Sequence, residues 1–75
     1  MKYKEFREYL KGTDFEIRED SVKLQVNMYD IVCVRISKTA YREIIISFTV
    51  QEPEEYEMLK KSLELAETPL DERED

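Results

Sequence analysis

Apolar side chains fall on even-numbered positions through the middle of the chain, from Val22 to Val50, with few breaks. The set comprises Val22, Leu24, Val26, Met28, Val32, Val34, Ile36, Ile44, Ile46, Phe48 and Val50. Because successive side chains of a β-strand point to opposite faces, this alternation predicts a sheet with one apolar face. Such a face needs a cover, and the flanking segments are the candidates to provide it.

The segment before the sheet has helical periodicity. Tyr3, Phe6 and Leu10 recur at three- and four-residue spacing and predict a helix from about residue 2 to residue 11. Gly12 follows at the position where many helices end in a residue with positive φ, which glycine tolerates. We therefore expect Gly12 to end this helix.

A second helix is predicted from Glu52-Pro53 to about Glu67. Proline at the first helical position loses no needed hydrogen bond, and the following carboxylates suit the positive end of the helix dipole. The predicted buried stripe is Tyr56, Leu59, Leu63 and Ala66, with Met58 and Leu65 alongside. Thr68 precedes Pro69 and favours an extended backbone, so residues 68–75 should form a short turn, capped by Thr68 with Asp71 at N3, or an acidic tail.

The order of elements predicts one α+β domain over residues 1–67. A helix is followed by a three- or four-stranded antiparallel meander and a second helix, with both helices on one sheet face. A four-residue loop over residues 18–21 would set Ile17 opposite Val22 and Phe15 opposite Leu24 in the first hairpin.

The connection at Tyr29-Asp30 decides which residues lie on the outer sheet face. A tight two-residue turn would send Ile31 and Cys33 toward the helices, whereas a bulge or a three-residue loop keeps the even-numbered set together. We favour the bulge. It predicts an exposed apolar island, which is either an interface or a consequence of the β-propensity of these residues. Together with Arg35, this island is our first candidate interaction surface. The island comprises Tyr29, Ile31, Cys33 and Ile45.

Charge marks a second candidate surface. The net charge is −6, and the segment from Glu52 onward contains ten Asp or Glu residues and only three Lys or Arg residues. This imbalance disfavours a non-specific nucleic-acid binder and favours a basic partner. The candidate contact carboxylates are Glu54, Glu55, Glu57 and Glu64. Pairing of Glu57 with Lys61, and of Lys60 with Glu64, would equally fit an ordinary solvated helix face.

The residue inventory argues against several chemistries. With no histidine, one glycine and one cysteine, the chain offers no Ser-His or Cys-His pair, cysteine metal knuckle or glycine-rich phosphate loop. We therefore predict no enzymatic activity, metal or cofactor, and interpret Cys33 as a small hydrophobe. No apolar run approaches the roughly 20 residues of a membrane span. The N-terminus also resembles no signal peptide. We therefore expect a cytoplasmic protein without a membrane partner.

The order of helix, strands and helix matches the topology of double-stranded RNA-binding domains. Those domains meet phosphates with lysines at the start of the second helix, whereas this chain has Pro53-Glu54-Glu55-Tyr56-Glu57 there. The negative charge at this position argues against a nucleic-acid partner. RNA binding through an open sheet face remains a weaker alternative, with Arg18, Lys23, Tyr29 and Arg35 as its residues.

Three stretches carry a family resemblance: Tyr3–Leu10, Ile36–Thr39 and the ending Ala66-Glu67-Thr68-Pro69-Leu70-Asp71-Glu72-Arg73-Glu74. They resemble small uncharacterised proteins encoded by phages and prophages of Gram-positive bacteria. The resemblance implies a protein made in the bacterial host cytoplasm, where small acidic proteins often bind host or phage proteins. No residue role follows from it.

These observations predict a non-catalytic accessory protein of phage or prophage type that acts by protein–protein contact. Its contact surfaces would be the open sheet face and the acidic C-terminal helix. One alternative is an acidic nucleic-acid mimic that inhibits a DNA-binding protein. Another is a structural homodimer paired through the open face or an edge strand.

Overall fold

The computed structural model describes residues 1–75 and confirms the predicted α+β architecture. Its elements are α1 (Tyr3–Lys11), β1 (Glu16–Glu19), β2 (Lys23–Met28), β3 (Ile31–Ser37), β4 (Ile44–Ile46), α2 (Pro53–Ala66) and a 3-10 turn (Leu70–Glu72). The strands form one antiparallel sheet in the order β1-β2-β3-β4. α1 and α2 pack on the same sheet face and share one core with it. None of the helices has the length and apolar character needed to cross a membrane.

Helix α1 buries Tyr3, Phe6 and Leu10, as the spacing predicts. The helix ends at Gly12 as predicted, but the expected positive φ is wrong, because Gly12 has φ −88° and ψ 9° and is not left-handed. The last carbonyls of the helix instead receive N–H groups from an ordinary turn, including a 3.0 Å bond from Thr13 to Leu10. Glycine is therefore not required at this position by its backbone angles.

The first hairpin has a different register from the predicted one. Ile17 pairs with Val26 rather than Val22, and Glu19 pairs with Leu24. The cause is a tight turn that the sequence pattern conceals: the Asp20 carboxylate accepts the N–H groups of Val22 and Lys23 at 2.8 and 2.9 Å. These two bonds also lower the pKa of Asp20. Val22 consequently lies in an exposed turn and not in the core.

The second hairpin combines a tight turn with a bulge. Met28 pairs with Ile31 across a two-residue turn, whose first residue, Tyr29, has φ 56°. Further along, Asn27 pairs with Val32 and Val26 with Val34, so Cys33 is the extra residue of a β-bulge. The predicted bulge is present, but it coexists with the two-residue turn that was its predicted alternative.

Helix α2 is rotated relative to the predicted stripe. Its buried residues are Met58, Ser62, Leu65 and Ala66. The Ser62 hydroxyl donates to the Met58 carbonyl at 2.8 Å, which lets a polar residue occupy the centre of the buried face. The prediction was wrong for Tyr56, which is half exposed, and for Leu59 and Leu63, which are only partly buried.

The C-terminal segment packs onto α1 and the end of α2. Arg73 is fully buried, and its guanidinium donates to the carbonyls of Ser37, Thr68 and Ala66 at 2.7, 2.8 and 3.1 Å. Thr68 does not cap the terminal turn. Its hydroxyl donates a hydrogen bond to the Glu64 carbonyl and accepts one from the N-terminal ammonium group of Met1. The segment therefore joins both chain ends to the helical layer.

Candidate functional site

The bulge at Cys33 places Ile31 and Cys33 on the helix side of the sheet. Ile31 pairs with Met28, whose side chain packs against the core, and Cys33 is 3% exposed. Ile45 pairs with Arg35, so it lies on the outer face. The prediction that Ile31, Cys33 and Ile45 are exposed together was therefore wrong. The bulge shifts the alternation by one residue between Val34 and the turn, which reverses the faces of the residues at the hairpin end.

Ile31 and Cys33 line a cleft at the end of the second hairpin instead. The cleft has a volume of about 370 Å³ and is the largest of the four depressions on the molecule. Its lining consists of Met28, Tyr29, Ile31, Cys33, Ser47, Phe48, Thr49 and Glu55. We call this surface the hairpin cleft. Its residues come from β2, β3, the segment after β4, and the first turn of α2.

Hydrogen bonds to the bulge hold the far wall of the hairpin cleft. The Ser47 N–H donates to the Cys33 carbonyl at 2.9 Å, and the Ser47 hydroxyl donates to the Val32 carbonyl at 2.9 Å. Phe48 follows directly and packs against the core. The backbone irregularity in β3 is thus connected to the position of the phenyl ring that lines the cleft.

Glu55 supplies a carboxylate at the edge of the hairpin cleft. One of its oxygens accepts the N–H groups of Gln51 and Glu52, each at 2.8 Å. Hydrogen bonds to the ionised form stabilise it, so they lower the pKa of Glu55. Glu55 is therefore negatively charged at neutral pH, beside an otherwise largely apolar lining.

The other predicted acidic residues do not join Glu55 in one cluster. Glu54 and Glu57 lie near Tyr9 of α1, whose pKa is raised by burial and then by these two carboxylates. Glu57 pairs with Lys60 at 3.8 Å and not with Lys61 as expected. The side chain of Glu64 is exposed. The four carboxylates therefore do not form one acidic site on α2.

A chain of polar side chains crosses the outer sheet face. The Arg35 guanidinium donates to the Gln25 side-chain oxygen at 3.3 Å, and the Gln25 amide donates to Asn27 at 3.0 Å. Arg18 pairs with Gln25 from the other side, and Ile45 pairs with Arg35. Of the predicted island, only Ile45 is placed on this face by the sheet register, beside Arg35.

The Cys33 thiol behaves as a packing group at the base of the hairpin cleft. Burial raises its pKa, an effect that the nearby negative charge of Glu55 reinforces. A raised pKa keeps the thiol protonated at neutral pH, and the thiolate is the reactive form. Cys33 therefore contributes apolar lining to the cleft, as the sequence predicts for a small hydrophobe.

The sequence did not predict that Phe48 and Thr49 form one wall of the hairpin cleft. The position of the bulge, in contrast, does have a signal in the sequence. Ile31-Val32-Cys33-Val34 is an uninterrupted apolar run inside an otherwise alternating strand. Such a run is what results when two neighbouring residues of a bulge face the same side. It indicates where the alternation changes phase and which residues reach the hairpin cleft.

Comparison of the chain with protein-family models, curated proteins and solved structures finds no match. The functional proposal for the hairpin cleft therefore depends on its own geometry and charge.

Proposed function

We propose that this protein is a non-catalytic accessory protein, of the phage or prophage type that its sequence resembles, which binds a host or phage protein in the bacterial cytoplasm. The observation that carries this proposal is the hairpin cleft, with exposed Tyr29 and Ile31 beside the charged Glu55. The contact surface differs from the predicted open sheet face, because the bulge moved its apolar residues to the helix side.

Tyr29 and Ile31 are the two most exposed large hydrophobic residues, at 77% and 61%. Burying a side chain of this size stabilises a complex by about 1.5–3 kcal/mol before association costs. Aromatic anchors beside a preformed depression are the usual centres of binding energy at protein interfaces. This pair therefore gives the hairpin cleft its capacity to hold a partner.

The backbone at Tyr29 supports the same interpretation. A φ of 56° at the first position of a two-residue turn favours glycine, and a bulky residue there costs on the order of 1 kcal/mol. The exposed ring recovers little of this cost through core packing. A contact made by the ring with another molecule would explain why tyrosine occupies a position that suits glycine.

Charge defines the chemistry of the partner. Glu55 is ionised at the edge of the cleft, and the whole chain carries a net charge of −6. A basic surface would be attracted over the range of the Debye length and would then place its cation near Glu55. We therefore propose a partner that presents an apolar side chain next to a lysine or arginine.

Affinity capture from a Gram-positive lysate, compared between wild type and matched variants, tests the proposal. Ile31→Lys places a charge in the hairpin cleft, whereas Ile45→Lys makes the same change on the outer face. We expect wild type and Ile45→Lys to recover the same stoichiometric partner and Ile31→Lys to lose it. Equal recovery by all three proteins, or no stoichiometric partner for wild type, would refute the assignment.

A further inference from the structure

Strand β4 leaves backbone groups unpaired at one edge of the sheet. Ser37 donates its N–H to Glu43 at 3.0 Å, and Ser47 donates its N–H to Cys33 at 2.9 Å. In an antiparallel ladder the residues that bond to the neighbouring strand alternate. Ile44 and Ile46 therefore direct their N–H and C=O groups away from β3, where another strand would bond to them.

The side chains of β4 lack the usual protection of an edge. Its residues are Ile44, Ile45 and Ile46, and the last two are half exposed on opposite faces of the sheet. Natural edge strands are commonly protected from pairing by charged residues or proline. β1, the opposite edge strand, follows this rule, since its sequence is Glu-Ile-Arg-Glu. Only the β4 edge is apolar.

The sequence of β4 is self-complementary in an antiparallel pairing. With a twofold axis at Ile45, Ile44 of one copy lies opposite Ile46 of the other, and each such pair exchanges two backbone hydrogen bonds. Ile45 then lies opposite Ile45. The next pair joins Glu43 to Ser47, so no like charges face each other across the axis despite the net charge of −6.

The helical layer leaves room for this pairing. α2 packs over β3, so two copies of α2 would be separated by three strand spacings of about 4.8 Å, or roughly 14 Å. Packed helices lie roughly 8–10 Å apart. The gap between the two α2 helices would therefore be wider than a close helix contact. It would lie over the groove that Ile44 and Leu63 line. The partly buried apolar side chains on this side of α2 would fill it.

We infer that two copies of this chain pair through their β4 strands into a continuous eight-stranded sheet, with Ile45 on the twofold axis. This inference is independent of the partner proposed for the hairpin cleft. A second copy fits better than a foreign strand, because the neutral, palindromic isoleucine register satisfies both chains at once.

Charge substitution at Ile45 tests the pairing by sedimentation at high micromolar concentration. Wild type should be a dimer. Ile45→Lys and Ile45→Glu should each be monomers, because like charges then meet at the axis, and an equimolar mixture of the two should dimerise again. Ile31→Lys, a change in the hairpin cleft, should stay dimeric. Circular dichroism checks that the half-exposed position tolerates both substitutions.

A monomeric wild type, or dimers that persist in both separate Ile45 variants, would overturn the inference. If β4 bound only a foreign strand, wild type would sediment as a monomer, which is the same negative outcome. Loss of dimerisation without rescue in the mixture would also overturn it, since the axis would then not lie at Ile45. Because Ile31→Lys abolishes only partner capture and Ile45→Lys only self-association, failure of either proposal is distinguishable from failure of the other.

Discussion

The two sides of the molecule differ in how their surface groups are paired and covered. On the α1 side, Arg7 bonds to Glu19 at 2.7 Å and to Asp75 at 3.5 Å, and the buried Arg73 connects the chain end to the helix ends. On the β4 side, exposed isoleucines, the groove at Leu63 and the hairpin cleft have no comparable cover. We call these the closed side and the open side.

This difference shows how a small domain divides its roles. A chain of 75 residues has a limited core, so bonds that connect distant segments matter for its stability. Those bonds are concentrated on the closed side, where they hold both chain ends. The open side holds the anchors and the unpaired strand edge, which supports the proposal that it is the contact surface.

The largest expected effect comes from removing the cation that completes the closed side. Arg73→Ala would leave the carbonyls of Ser37 and Thr68 without their donor, whereas the Ala66 carbonyl would keep its bond from the Arg42 N–H. The change would also open a cavity beside Tyr3. We expect a loss of about 3–5 kcal/mol in the free energy of unfolding, measured in urea. Arg18→Ala, at an exposed arginine, is the matched control and should change it by less than about 0.5 kcal/mol.

A loss of equal size in both arginine variants would contradict the structural role of Arg73. A loss that appears only in Arg73→Ala, together with weaker protection of the N-terminal helix, would support it. Arg73→Lys should fall between wild type and the alanine variant, because lysine keeps the charge but cannot reach three carbonyls with one planar group.

Acid should weaken the closed side through Glu19. The hydrogen bond from Arg7, followed by that from Lys38, lowers the pKa of Glu19 below its ordinary value of 4.5. Its stabilisation is therefore complete above that value and is lost as pH falls through the lowered folded pKa. Glu19→Gln should cost less than about 1 kcal/mol at neutral pH, because the pair is partly exposed. Urea unfolding at pH 7 and pH 3 should show a smaller acid-induced loss in the variant than in wild type.

The smallest expected effect on stability lies on the open side and has the opposite sign. Tyr29→Gly relieves the positive φ of the hairpin turn and should stabilise the fold by about 0.5 kcal/mol. The same change removes the exposed ring, so partner capture should weaken. Thermal unfolding and capture, measured on one preparation, check both signs; a destabilised variant with unchanged capture would show that Tyr29 serves the fold.

The sequence predicted the fold class well because its alternating and helical patterns report which faces are buried. Leu24, Val26, Val34 and Ile36 face the helices as the alternation indicates. The register of both hairpins was harder to predict. It depends on local hydrogen bonds, such as those to the Asp20 carboxylate, and on a bulge that changes the phase of the pattern without changing its composition.

The site was predicted only in part for the same physical reason. Tyr29 and Ile31 were identified, but the bulge placed Ile31 and Cys33 on the helix side, apart from Ile45. Arg73 was not identified at all, because an arginine between Glu72 and Glu74 looks like part of a solvated tail. Its partners are main-chain carbonyls, which no side-chain pattern marks.

Residue-resolved amide hydrogen exchange of wild type at increasing protein concentration tests the contrast between the two sides most directly. It compares the outward N–H groups of Ile44 and Ile46 on the β4 edge with those of Ile17 and Glu19 on the β1 edge. We predict that protection of Ile44 and Ile46 rises with concentration while that of Ile17 and Glu19 stays constant. Protection that is independent of concentration at both edges, or that rises only at β1, would contradict the assignment of the open side as the contact surface.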